Sequence, residues 1–151
     1  MKSLLSLIVV CTAVFATDDL SSFLHAYKTG DAEMTCSYGR KLYRTNIRDE
    51  NILIAIGQAC AQVDFIDFIG VLQPRLGKSP ESRKAAVYFS SLLLQKRLIS
   101  QFMYEDIDIS PYAIPVTDHI LSKVFESIKS GDYTTVSHNP KHIQIGTQDD
   151  F

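Results

Sequence analysis

The sequence predicts an all-α fold of antiparallel helix pairs stacked in a short array, and three observations carry that expectation. Two stretches nearly coincide, AYKTGDAEM at residues 26–34 and SIKSGDYTT at residues 127–135, each an amphipathic segment followed by Lys, a small hydroxyl residue, Gly and Asp. Their glycines, Gly30 and Gly131, are 101 positions apart, or three intervals of roughly 34 residues, the length of a helix–turn–helix repeat. Apolar columns recur on the same step. Leu20, Leu53, Val87 and Leu121 stand ten residues before the successive turn positions, and Tyr27, Cys60, Leu94 and Ile128 stand three before them. Such spacings make the apolar stripe of a helix. Strand signals are weak, because NILIAI (residues 51–56) continues at helical spacing through Gly57, Ala59 and Ala61. An irregular helical bundle uses the same columns and is the alternative architecture.

The first element is not part of the fold. One Lys, an apolar run from Leu4 to Phe15 and the small residue Ala16 before an acidic start read as a signal peptide, residues 1–16, cleaved after Ala16. The run falls short of the roughly 20 apolar residues needed to span a bilayer. An uncleaved anchor, or a lipoprotein built on Cys11, are the alternatives. Residues 17–133 then form one helical repeat domain, and residues 134–151 a flexible C-terminal tail with no helical periodicity.

Helices are expected near 19–29, 32–45, 50–61, 64–76, 80–95, 98–107 and 115–130. Asp18 or Asp19 can cap the first, and Gly30 can end it in a left-handed conformation. The step also requires helix ends near Val63-Asp64 and Arg97-Leu98, where no glycine stands. Ser79 and Pro80 fit the cap and first position of the fifth helix. ISPYAIP interrupts the pattern, Pro115 opens the last long helix, and Gly131 stops it. Leu121, Val124, Phe125 and Ile128 are then expected to pack on the helix near 98–107.

Composition bounds the partners. The chain carries 15 basic and 17 acidic residues, and Lys2 belongs to the leader, so nothing supplies the basic excess that nucleic acid requires. At 46% hydrophobic residues the chain can build an ordinary core. No second apolar segment reaches membrane length.

Helix pairs on this step resemble tetratricopeptide-like repeats. The likeness lies in IGQACAQVDFIDFIGVL (residues 56–72), where Ile56-Gly57 resembles the Leu-Gly of the first repeat helix and Cys60 stands at the position usually aromatic. The resemblance implies a solenoid with a concave face for a protein or peptide. In such an array the second helix of one pair packs on the first helix of the next. Cys36 and Cys60, the two cysteines beyond the leader, would then share one seam. In an oxidising compartment they can form a disulfide; two buried thiols acting as small hydrophobes are the alternative.

Catalytic patterns are sparse. Gly-x-Ser-x-Gly and His-Glu-x-x-His are absent, and His138 and His142 are separated by Pro140 in the expected tail. His25 and His119 fall in expected helices without a neighbouring ligand cluster. EDIDIS (residues 105–110) lacks the glycine and closing Glu of a calcium loop and reads as a helix end. No catalytic residue, metal or cofactor is assigned. The run RKLYRTNIR places Arg40, Arg44 and Arg48 near one helical face with Lys41 beside them, and Tyr38 and Tyr43 add amphipathic area. These six residues are either a solvated face or a docking patch for an acidic segment or anionic lipid. The sequence therefore points to a periplasmic or secreted interaction or scaffold module without catalytic activity, its protein or peptide partner unknown. A structural part of an envelope assembly, a small-ligand carrier and an enzyme are the alternatives.

Overall fold

The computed structural model describes residues 19–132 in full and the backbone of residues 134–136 and 144–146. The expected signal peptide, Asp18, His138 and His142 lie outside the described residues. The fold is all-α in class, as the sequence predicts. Its helices are α1, described over 19–29, α2 (Ala32–Arg44), α3 (Glu50–Gln62), α4 (Ile66–Leu72), α5 (Pro80–Glu105) and α6 (Ile120–Ser130). A 3₁₀ turn, Gln73–Arg75, extends α4. The chain divides into two compact units, Met1–Ala86 and Val87–Phe151, and α5 starts in the first and ends in the second.

The first unit is organised by turns. Gly30 has φ +73°, its N–H donates to the Tyr27 carbonyl (3.2 Å), and the Asp31 N–H donates to the Ala26 carbonyl (3.1 Å). That pair of bonds satisfies the carbonyls left free at a helix end and needs a left-handed residue between them. Asp31 then caps α2, accepting from the Met34 N–H at 2.9 Å. The same turn recurs 34 residues on, without glycine. Asp64 has φ +57°, its N–H donates to the Ala61 carbonyl, and the Phe65 N–H donates to the Cys60 carbonyl. Aspartate is one of the few side chains that tolerates this conformation. Asp49 caps α3 through the N–H groups of Asn51 and Ile52. Helix α3 packs against both α2 and α4. Leu53, Ile56 and Cys60 of α3, Ile69 and Leu72 of α4 are all fully buried, as is Phe23 of α1.

The start of α5 matches its sequence signature. The Ser82 N–H donates to Ser79 Oγ and the Ser79 N–H donates to Ser82 Oγ, both at 3.0 Å, with Pro80 at the first helical position. The expected break near residue 97 is absent, and the two helices expected over 80–95 and 98–107 are one helix of 26 residues. The intervening Lys96 and Arg97 are strong helix formers with no Gly or Pro beside them, so nothing interrupts the backbone ladder. The 34-residue step thus marks helix ends at Gly30, Asp64 and Gly131 but not at its third position.

In the second unit Leu98, Ile99, Ile109, Phe125 and Ile128 form one buried cluster, with Phe102, Met103, Ile114, Leu121 and Val124 packed against it. Helix α6 therefore packs on the later part of α5 through the four residues expected to do so. It begins at Ile120, five residues after Pro115. The delay has a local cause: the Leu121 N–H donates to His119 Nδ1 (3.2 Å) and the Thr117 N–H to Ser122 Oγ (2.9 Å), so side chains serve the first donors. Buried Gln95 ties this entry to α5, donating to the Pro115 carbonyl (3.1 Å) and accepting from Ser122 Oγ (2.9 Å). Gly131, φ +73°, ends α6 with the bonding pattern of Gly30, its N–H to Ile128 and that of Asp132 to Ser127. Within the stretch expected as a tail, β1 (Thr134–Val136) pairs antiparallel with β2 (Gln144–Gly146), Thr135 opposite Ile145.

Candidate functional site

The seam between α2 and α3 fixes the geometry of the basic residues picked out from sequence. Thr35, Cys36, Gly39 and Leu42 bury one face of α2. Gly39 brings the helices close, since a Cβ there would lie 2.6 Å from Ile56 Cγ1. Cys36 and Cys60 are joined as a disulfide across this seam, their Cα atoms 4.8 Å apart. The bond closes a separation of 24 residues, for which the chain-entropy model gives about 3 kcal/mol of stabilisation.

With that face buried, α2 turns Arg40 and Tyr43 toward α4 and its N-cap residue Phe65. The Arg40 guanidinium lies 4.1 Å from the centroid of the Phe65 ring and 5.9 Å from that of Phe68. Tyr43 meets Phe68 edge-on at 5.5 Å, donates its hydroxyl to the Val71 carbonyl (3.2 Å), and carries the Arg75 guanidinium 4.2 Å above its ring. The result is a ladder of rings and cations, Phe65–Arg40–Phe68–Tyr43–Arg75, across two helices and the 3₁₀ turn. Cation–ring contacts at exposed sites are each worth about 0.5–1 kcal/mol. Phe65 is 40% exposed and Val71 47% exposed, so the ladder presents apolar surface as well as charge.

The six residues predicted as a docking patch thus fall into three groups. Arg40 and Tyr43 are inside the ladder, Lys41 lies 5.1 Å over the Tyr38 ring beside it, and Arg44 and Arg48 are exposed. Phe65, Phe68 and Arg75 were not among the residues predicted. The Phe-x-x-Phe spacing at 65–68 is the one signal in the sequence that could have drawn attention to them.

A second arrangement lies below the ladder's Arg75. A hollow of about 330 Å³ is lined by Asn46, Arg48, Leu53, Arg75 and Lys78. The loop carrying Lys78 is held from two sides. Glu50 Oε1 accepts from the N–H groups of Gly77 (2.8 Å) and Lys78 (3.1 Å), while Arg83 donates to the carbonyls of the same two residues (3.0 and 3.1 Å). Desolvation alone would raise the Glu50 pKa, but the bonds from Gly77, Lys78, Ser82 and Ser79 together hold it below the ordinary glutamate value.

The histidines take other roles. His119 caps α6 and is not within it, and His25 is exposed on α1. His25 lines a shallower recess with Ser21, Ser22, Asp31 and Tyr38. After α5, Asp106 adopts φ +58° and the Asp108 carboxylate accepts from the Ser110 N–H and hydroxyl, a self-contained turn. Among the described residues no group of three or more His, Cys, Asp or Glu side chains is placed to hold a metal, and no helix is long and apolar enough to cross a membrane. Comparison of the chain with protein-family models, with curated proteins and with solved structures gives no match to any of them.

Proposed function

We propose that this chain is an exported protein–protein interaction module that acts by binding rather than by catalysis. The observation that carries the reading is the ladder on α2 and α4. It holds an aromatic and cationic face in a fixed geometry, with Phe65 and Val71 exposed, and Lys41 and Arg44 are exposed on the helix that carries Arg40 and Tyr43. Interfaces favour Tyr, Phe and Arg because these side chains supply large contact area and directional bonding. The occupant that complements this face is an acidic peptide segment of a partner protein, with carboxylates to meet the guanidinium forks and an apolar residue to cover Phe65. Export is supported by the Cys36–Cys60 pair, since disulfides persist in oxidising compartments. The helix-pair order of α1–α4 and the turn repeated at Gly30 and Asp64 support a tetratricopeptide-like arrangement over the first unit.

Fluorescence anisotropy with a labelled Glu- and Leu-rich peptide tests the docking face. Binding should weaken steeply with salt and fall at least about tenfold in Lys41→Glu/Arg44→Glu, which leaves the ladder in place. Equal binding by the variant sinks the proposal. N-terminal sequencing of protein recovered from the native host should begin at Thr17; an intact Met1 in a membrane pellet refutes export by cleavage.

A further inference from the structure

We propose that the hollow between Asn46, Arg48, Leu53, Arg75 and Lys78 is a binding site for a phosphate monoester, a site that adjoins the peptide-docking face at Arg75. Three cationic residues line one recess of about 330 Å³ in a chain whose formal net charge is −2. Gathering like charges in a recess costs free energy that an anion removes. Among the described residues no carboxylate lines the recess. Asp49 is occupied in capping α3 through the N–H groups of Asn51 and Ile52, and the Glu50 carboxylate is held by the Gly77 and Lys78 amides. Among the described residues no carboxylate pairs with Arg48 or Lys78.

The recess is also held in shape. Arg75 is fixed by its stack on Tyr43 at 4.2 Å. The Lys78 backbone is clamped by Glu50 on its amide and by Arg83 on its carbonyl. Two guanidinium groups offer planar forks that match phosphate oxygens in pairs, and a lysine adds a compact point charge. The Asn46 amide can donate to a further oxygen, and Leu53 provides an apolar floor. A volume of this size admits the phosphate together with part of the group that carries it. A dianionic monoester meets three cations better than a single carboxylate does. The same chemistry is offered by free phosphate compounds and by a phosphatidic acid headgroup, and the experiment separates these sources.

The purified chain is titrated with inorganic phosphate at constant ionic strength and followed by amide chemical shifts. The expected result is a saturable change confined to residues near 46–53 and 75–78, weakened at least about tenfold in Arg48→Gln/Lys78→Gln. Both substitutions are at exposed positions, and an unchanged melting temperature verifies the variant's fold. Co-sedimentation with phosphatidylcholine vesicles, with and without phosphatidic acid, is run in parallel. Retention by the phosphatidic acid vesicles that the double variant loses assigns the headgroup; saturable phosphate binding without retention assigns a free ester. Shifts that grow linearly without saturation together with no vesicle retention overturn the proposal. So does phosphate or vesicle binding that the double variant keeps unchanged.

Discussion

At Gly39 two opposing effects of one residue can be weighed. Replacing glycine by alanine in a helix interior ordinarily gains about 1 kcal/mol of helix propensity. Here the added Cβ would lie 2.6 Å from Ile56 Cγ1 and 2.9 Å from Cγ2. Ile56 is fully buried and branched at Cβ, so it has no room to turn aside. Overpacking of this kind costs about 1–3 kcal/mol, so Gly39→Ala should lower the melting temperature despite the better propensity. Adding Ile56→Ala should remove the clash and show strong non-additivity in a double-mutant cycle. A rise in melting temperature for Gly39→Ala alone would mean that α2 and α3 can part. Tyr88 supplies a second residue-scale outcome. Its burial, then its hydrogen bond to Asp118 at 3.1 Å and that residue's negative charge, raise its pKa to about 12. A raised folded pKa means that the contribution is whole below the ordinary value of 10.0 and is lost as pH rises through about 12. In an absorbance titration Tyr88 should ionise late, and Asp118→Asn should bring it earlier.

Among the elements, the helices were legible where local chemistry decides and illegible where distant contacts do. The Gly-Asp pairs announced the ends of α1 and α6, and the Ser79-Pro80 pair announced the start of α5. The equivalent turn at Asp64 was concealed because aspartate can take the left-handed conformation without declaring it. The continuity of α5 is hidden for the opposite reason: the 34-residue step calls for a break there, while Lys96 and Arg97 are strong helix formers that carry the helix through. The tie between the entry of α6 and α5 runs through Ser122 and Gln95, which are 27 residues apart, and no short window of sequence contains that bond. Packing of α6 on α5 was legible from its apolar stripe. Phe125 is fully buried in that cluster. Phe125→Ala should therefore destabilise the chain by about 3–5 kcal/mol in denaturant unfolding, and a loss below 1 kcal/mol would contradict the packing described.

For the molecule as a whole, the candidate site shows the same division. The basic residues of α2 could be placed from helical spacing, and the closeness of Cys36 and Cys60 followed only from the stacked helix pairs that the tetratricopeptide-like resemblance implies. The ladder could not, because Phe65, Phe68 and Arg75 reach α2 only through the packing of α4 on α3. The loop that carries Lys78 depends on Glu50, 28 residues earlier in the chain. The charges are legible in the sequence, and the scaffold that orients them is built by contacts distant along the chain.

The disulfide also decides what a protease would leave behind. Arg44 and Arg48 are exposed at either side of the connection between α2 and α3, and both lie between Cys36 and Cys60. Trypsin cutting at either one would divide the polypeptide without releasing a fragment. The nicked material should run as one species on a non-reducing gel and as two after reduction. The arginine-bearing strand of the ladder would then be covalently retained beside its phenylalanines after the backbone joining them had been severed.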